Sequence, residues 1–128
     1  MTGYSINIET ETLANEDFRR VLHTATHQQL VLMTLQAGEE IGLEIHDHGD
    51  QFFRVEAGEG EAIINGQVHS LRDGSVVIIP QGAEHNVRNI SASTPLRMYT
   101  IYSPPQHPDG TVNHTKAEAD EYEKAHHG

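Results

Sequence analysis

The chain of 128 residues has a length typical of one domain with a single hydrophobic core. Its 19 acidic and 8 basic residues give a net charge of −11, which argues against a nucleic acid or an anionic membrane surface as a partner. It has no cysteine, no apolar run of about 18 residues and, in its opening MTGYSINIETET, no signal-peptide pattern, so we expect a soluble cytoplasmic protein.

Strand-like segments dominate the first hundred residues. The stretch ANEDFRRVLHTATHQQLVL predicts a strand, a turn near residues 26–29 and a second strand, with a short helical turn at 15–19 as the competing interpretation. Turn-forming residues, among them Asn65-Gly66 as a two-residue hairpin turn, recur every 8–12 residues or so, which is typical of a β-sandwich or barrel. The strand-like runs, rich in β-branched and aromatic residues, are 30–35, 52–58, 61–66, 76–80 and 96–102.

The chain changes character from Pro104 onward. We therefore expect a β-barrel domain over residues 1–103 and a Pro-rich, polar tail over 104–128. Thr115 and Glu118 stand at the positions of a capping box, which predicts a short helix from Lys116 to about residue 124. The sequence leaves open whether the segment around His107 and His114 covers the barrel mouth or lies on the surface as a tail.

The segment IGLEIHDH, residues 41–48, carries two histidines separated by one residue. If it is a strand, Glu44, His46 and His48 share one face because side chains alternate. Two imidazoles so placed can reach one cation. The same pattern also fits two solvated surface histidines, so the segment alone does not decide between the two interpretations.

A second segment, GSVVIIPQGAEHNVRN, follows 37 residues after His48 with His85. It resembles the second sequence motif of the cupin superfamily at all fixed positions, namely Gly74, Pro80, Gly82, His85 and Asn89. The chain also resembles the first cupin motif, at His46 and His48. Gly58 stands seven residues after Gln51, as the last glycine of that motif stands after its glutamate, so the resemblance puts Gln51 in the place of the glutamate. Two departures stand out: the spacer between His48 and Gln51 is shorter than the motif has, and the motif's leading glycine is displaced.

The resemblance implies an all-β cupin jelly-roll, a double-stranded antiparallel β-barrel with one divalent metal ion in its mouth. It implies His46, His48, Gln51 and His85 as metal ligands, with Asp50 as an alternative to Gln51 and a degenerate site as a third possibility. Imidazole and amide ligands suit Zn, Mn, Fe or Ni. A glutamine in place of a glutamate leaves the ion with its full positive charge, which makes it a stronger Lewis acid.

Three further residues are candidates for catalysis. Glu44 is a candidate general base or a partner for a ligand imidazole, unless it is a solvated rim residue. Tyr99 and Tyr102 lie on opposite faces of their strand, and either is a candidate acid or substrate donor unless its hydroxyl is satisfied internally. Phe53 and Val55 share the face of Gln51 and form an apolar wall.

These residues predict a Lewis-acid enzyme acting on a small polar metabolite such as a sugar or sugar acid, through isomerase-like proton transfer. The resemblance in fold extends to phosphomannose isomerase. The alternatives are an Fe- or Mn-dependent dioxygenase, a non-catalytic module that binds a small ligand, and a storage or scaffold protein. The partner is then a small molecule, and a homodimer formed through edge strands is expected.

Overall fold

The computed structural model describes residues 2–127. The described residues form ten strands and two helices, in the order α1 (Ile8–Ala14), β1 (Arg19–Thr24), β2 (Gln29–Leu35), β3 (Glu44–Ile45), β4 (Asp50–Ala57), β5 (Gly60–Ile64), β6 (Gln67–Leu71), β7 (Val76–Ile79), β8 (Glu84–Asn89), β9 (Leu96–Ser103), β10 (Val112–Asn113) and α2 (Lys116–His127). Neither helix combines the length and the apolar character needed to cross a lipid bilayer.

The strands form two antiparallel sheets. The six-stranded sheet has the order β10-β1-β2-β9-β4-β7, and the four-stranded sheet has the order β3-β8-β5-β6. Both sheets contribute side chains to one core, for example Met33, Phe53 and Met98 from the first and Ala62 and Val87 from the second. This architecture confirms the all-β jelly-roll, and the C-terminal helix is present as predicted.

The alternation of side chains along β4 and β9 separates the core from the surface. On β4, Gln51, Phe53 and Val55 are buried, which confirms that the last two share the face of Gln51. On β9, Met98 and Tyr102 are among the residues that alternate inward, while their sequence neighbours are half-buried on the outer face. Complete burial of each large apolar side chain stabilises the fold by about 1.5–3 kcal/mol, so the inward face holds the barrel together.

The hairpin between β5 and β6 turns as its sequence predicts. Asn65 and Gly66 have φ values of 49° and 82°, and Ile64 is the Cα partner of Gln67. Two consecutive positive φ angles are the requirement of a type I′ turn, and an Asn-Gly pair meets it with little strain. The turn fixes the register between β5 and β6 in the smaller sheet.

The strand, turn and strand expected in the first part of the chain are present as β1 and β2, while the strand expected over 41–48 was wrong. The segment 41–48 is not one strand, because only Glu44–Ile45 pair with β8, and residues 47–48 form a turn. The competing helical turn at 15–19 is also absent, since the helix lies earlier, where the Asn7 side chain accepts a hydrogen bond from Thr10 N at 2.9 Å. This helix lies against β2, β4 and β9. Tertiary contacts thus stabilise a segment whose own helix propensity is weak.

Asn89, the last fixed residue of the second motif, ties two loops to the end of β8. Its side-chain amide donates to the carbonyl oxygens of Leu35 and Gln36, each at 3.1 Å, and of Thr94 at 2.8 Å. Its Oδ1 accepts from Ser91 N at 2.9 Å. With 3% exposure, this side chain satisfies backbone groups that water does not reach.

The segment after Ser103 is joined to the barrel. β10 pairs with β1 at the edge of the larger sheet, and Ala119 on α2 is 2% exposed. Thr115 Oγ1 accepts from Glu118 N at 3.0 Å, which confirms Thr115 as the helix cap. The C-terminal segment therefore belongs to the body that positions the site described next.

Candidate metal centre

Four of the residues expected at the site come together at one end of the barrel. The His46 ring centroid lies 5.0 Å from that of His85 and 5.7 Å from that of Tyr102. Tyr102 on β9 is the Cα partner of Gln51 on β4. Gln51 and His85 are each 3% exposed and Tyr102 is 4% exposed, so the cluster is almost closed to solvent.

Two polar side-chain atoms in this cluster are buried without a hydrogen-bond partner. They are His46 Nε2 and Gln51 Oε1. The amide of Gln51 is oriented by Thr100, whose Oγ1 accepts from Gln51 Nε2 at 3.0 Å, so the amide oxygen remains available. An unsatisfied buried polar atom costs roughly 1–3 kcal/mol. A ligand that binds both atoms would recover this free energy.

The His46 imidazole is neutral at neutral pH. Burial lowers its pKa to about 4, with the neighbouring His85 and Arg19 contributing in the same direction. A neutral imidazole keeps one nitrogen lone pair, as a metal ligand must. His85 Nδ1 lies 3.0 Å from Ala83 O, and because a carbonyl oxygen only accepts, Nδ1 carries a proton, which leaves Nε2 as the nitrogen that can act as a ligand.

His48 and Asp50 lie at the rim of the cluster. Both are exposed, and Asp50 Oδ1 accepts from Gln81 N at 2.9 Å, which engages this carboxylate in a turn. His48, His46 and Tyr102 together border a small cavity of about 20 Å³. Within residues 2–127, no three His, Cys, Asp or Glu side chains are grouped closely enough to form a metal site.

The donor set that the structure does assemble is two imidazole nitrogens and one amide oxygen, from His46, His85 and Gln51. These ligand types suit a divalent transition metal, and two of the three atoms lack any other partner. The residues therefore fit a metal ion. If an ion were bound there, these residues would supply three protein ligands.

Glu44 lies beside this donor set. Its Oε2 is 3.5 Å from His46 Nε2, and its side chain is 35% exposed. Burial raises the pKa of the Glu44 carboxyl to about 6, against a smaller lowering by Arg19. Such a pKa places Glu44 close to the range in which a general base works at neutral pH.

The two tyrosines are separated by the pleat of β9. Burial raises the pKa of Tyr102, so its hydroxyl stays protonated, and the oxygen lies 3.3 Å from His107 Nε2. Tyr99 is on the outer face, where its ring centroid is 6.1 Å from that of Phe52. The structure thus brings Tyr102 to the site and leaves Tyr99 outside it.

Arg19 and Glu123 adjoin the site and were not among the residues expected there, whereas His107, which also adjoins it, belongs to the segment whose position the sequence left open. Arg19 Nη1 lies 3.6 Å from Glu123 Oε1, which is also 3.9 Å from His107 Nδ1. In the sequence, Arg19 alternates with Val21, so an arginine at an inward position of a strand was the available signal. Its partner on α2 is separated from it by almost the whole chain and has no local signature.

The path of the chain fixes the loop that carries His46. A Cβ on Gly49 would collide with the carbonyl oxygen of Ser103 and with Pro104. Gln29, which is fully buried, holds the next residues by accepting from the backbone N–H groups of Gln106 and His107 at 3.1 and 3.0 Å. The segment 103–107 therefore borders the site directly.

Comparison with known proteins gives consistent matches. The family model described as a cupin domain matches residues 31–102. The uncharacterized protein YrkC of Bacillus subtilis (strain 168) is 44% identical over 122 residues, which cover 91% of this chain and 65% of that protein, so this chain spans slightly less than two thirds of it. The uncharacterized protein L612 of Acanthamoeba polyphaga mimivirus is 42% identical over 113 residues, covering 86% of this chain and 71% of that protein. The crystal structure of BH2720 from Bacillus halodurans superposes with a TM-score of 0.91 at 47% identity, covering 94% of this chain and 95% of that chain.

Proposed function

Because this chain belongs to the cupin family, we propose that it is a metal-dependent enzyme that acts as a Lewis acid on a small polar metabolite such as a sugar or sugar acid. The observation that carries this proposal is a pair of buried polar atoms without a hydrogen-bond partner, His46 Nε2 and Gln51 Oε1, close to the imidazole of His85. His48 at the rim stays a prediction as a fourth ligand.

His46, His85 and Gln51 would hold a divalent ion, which would supply Lewis-acid activation of substrate oxygens and of the adjacent C–H or O–H. Gln51 would contribute an amide oxygen and no negative charge, so the ion would keep its full positive charge, which would favour Lewis-acid chemistry over oxidation.

The protein groups around this centre are suited to move a proton. Glu44 accepts it, because a carboxylate with a pKa near 6 is ionised at neutral pH and still basic enough to take up a proton. Tyr102 donates or returns it, because its buried hydroxyl is protonated and lies 3.3 Å from His107 Nε2. Phe53 and Val55 exclude water from the wall of the barrel below Gln51.

The test combines metal content with proton exchange. We expect the untagged protein to contain close to one divalent ion per chain, and His46→Ala to lose it. In D₂O, the metal-bound protein is expected to catalyse deuterium incorporation next to the carbonyl of an aldose or uronic acid, followed by NMR, and Glu44→Gln to abolish that exchange. His48→Ala measures whether the rim histidine contributes to metal affinity.

Absence of metal from the purified protein, together with no change in melting temperature on adding Mn, Fe, Zn or Ni salts, would overturn the proposal. Metal binding with oxygen consumption would favour the dioxygenase alternative. Metal binding without exchange or oxygen consumption would favour a module that only binds its ligand.

A further inference from the structure

Arg19 is a buried cation whose donors are incompletely used. Its side chain is 5% exposed, and its Nε has no hydrogen-bond partner. Its Nη1 has two distant neighbours, Asn113 Oδ1 at 3.3 Å and Glu123 Oε1 at 3.6 Å. A guanidinium carries five N–H donors, and charge-assisted hydrogen bonds to a carboxylate are normally 2.7–2.9 Å or so in length. The fork of Arg19 therefore has capacity for a better acceptor.

A cavity extends from Arg19 to Glu44, the residue that lies beside His46. Its volume is about 230 Å³, and Arg19, Glu44 and Glu123 line it. Glu44 in turn lies 3.5 Å from His46 Nε2. Since a water molecule takes up about 30 Å³ in the liquid, the cavity has room for a small metabolite that reaches from the arginine toward the centre.

The other charges on the cavity wall are accounted for. Asp120 is bound to Lys116 Nζ at 2.9 Å, and Glu123 faces Arg19 from α2. The Glu123 side chain is 36% exposed, so it can turn into water without crossing the core. A ligand carboxylate that replaces it at Arg19 exchanges one anion for another and leaves the local charge unchanged, which removes the main electrostatic objection to an anionic ligand in this acidic protein.

We propose that Arg19 determines specificity by binding the carboxylate of a small hydroxy acid or sugar acid, at a position that Glu123 occupies in the absence of a ligand. The inference rests on the proposed function for the other end of the ligand, whose oxygens would reach His46, His85 and Gln51. Arg19 acts by binding and positioning, and it takes no part in proton transfer.

The test compares matched ligands with and without the carboxylate. D-galacturonate and D-galactose differ only at C6, as do D-glucuronate and D-glucose, and calorimetric titration into the Mn²⁺-loaded protein gives each affinity. A charge-assisted pair contributes about 1.5–3 kcal/mol, so at least one acid is expected to bind about tenfold more tightly, or better, than its neutral partner. Glucose 6-phosphate is included to distinguish a carboxylate site from a phosphate site.

The variants separate recognition from folding. Arg19→Met is expected to remove the preference for the acid while Mn²⁺ affinity persists, and Arg19→Lys to restore part of it. Arg20→Met is the matched control, because Arg20 is exposed on the opposite face of β1. Glu123→Gln is expected to strengthen binding of the acid, since it removes the internal competitor.

The assignment of Arg19 as the carboxylate-binding residue would be overturned if acid and neutral sugar bind equally or if neither acid binds. It would also be overturned if the preference for the acid persists in Arg19→Met. Preferential binding of glucose 6-phosphate would overturn the assignment of a carboxylate at Arg19 and indicate a phosphate site instead. These outcomes are read separately from metal content and deuterium exchange, so the assignment can fail while the proposed Lewis-acid function stands.

Discussion

Gln51→Glu tests the candidate metal centre by changing one group, because a carboxylate replaces an amide of the same shape. Gln51 is 3% exposed, and its Nε2 donates to Thr100 Oγ1. The hydroxyl of Thr100 can turn to donate to the new carboxylate, so packing is preserved. The substitution adds a negative charge at a position that water does not reach, close to the imidazoles of His46 and His85.

The cost follows from Glu44, whose carboxyl pKa is raised from 4.5 to about 6 although its side chain is 35% exposed. Position 51 is more deeply buried, so the pKa of a carboxyl there is expected to lie about one to two above its value in the unfolded chain. This difference destabilises the metal-free protein by about 2 kcal/mol. A raised carboxyl pKa costs stability above the pKa of the unfolded chain, about 4.3, and the cost is complete above the pKa of the folded protein. The deficit is therefore complete at pH 8 and disappears as the pH falls toward about 4.3.

Thermal unfolding followed by circular dichroism measures both effects. In EDTA at pH 8, the variant is expected to melt about 8 °C below the native protein, given a shift of about 4 °C per kcal/mol for a chain of this size. Addition of MnCl₂ is expected to raise its melting temperature more than that of the native protein, because the carboxylate offsets the charge of the ion.

The control is Gln67→Glu, the same change at an exposed position of β6. It is expected to leave both the melting temperature and the response to Mn²⁺ unchanged. If Gln51→Glu and the native protein have the same melting temperature in EDTA at pH 8, residue 51 is not buried as described. A weaker response to Mn²⁺ than that of the native protein would remove residue 51 from the set of ligands.

Four further outcomes are expected. Asn89→Ala should lower the free energy of unfolding by about 2–4 kcal/mol in urea denaturation, because it leaves several buried backbone groups unpaired. In EDTA, NMR titration should show His46 neutral down to about pH 4, and stability should fall between pH 6.5 and 4 because the unfolded chain takes up that proton first. The pKa of His114 is raised by its hydrogen bond to Asp17 and should return toward 6.5 in Asp17→Asn. The predicted homodimer should appear in light scattering, and Ile78→Lys on the exposed edge strand β7, where Ile78 is 63% exposed, should dissociate it. The expectation for Asn89→Ala fails if the urea midpoint is unchanged, and that for His46 fails if its pKa lies near 6.5. The expectation for His114 fails if its pKa does not respond to Asp17→Asn, and that for the dimer fails if the protein is a monomer at all concentrations.

The parts of this protein that sequence could predict are those with a local signature. Alternating apolar residues indicated the strands, Asn65-Gly66 indicated the hairpin, and the spacing around His85 indicated the cluster that it forms with His46 and Gln51. In each case the residues that determine the geometry are close together in the chain, or are tied to a motif whose two halves are recognisable.

What sequence missed depends on contacts between distant segments. The strand expected over 41–48 is cut short, and His48 then falls in a turn where it is exposed, because Gly42 has a φ of 109° and its N–H binds the Asn86 side chain instead of a neighbouring strand. Arg19 lies at the site because it occupies an inward-facing position of β1. Glu123 contacts it only because α2 packs back against the barrel mouth. Contacts between residues so far apart in the chain produce no periodic pattern in the sequence.

The pairing of β1 with β10 has a consequence for how the chain folds during synthesis. Arg19 and Asn113 are 94 residues apart in sequence, so β1 has no partner on that edge until residue 113 has been synthesised. Pairings between distant segments are slow to form, and an open strand edge is prone to pair with other chains in the meantime. Chains that end before residue 112 are therefore expected to build the barrel walls with an open mouth, because β10 and α2 complete the wall of the cavity beside Arg19.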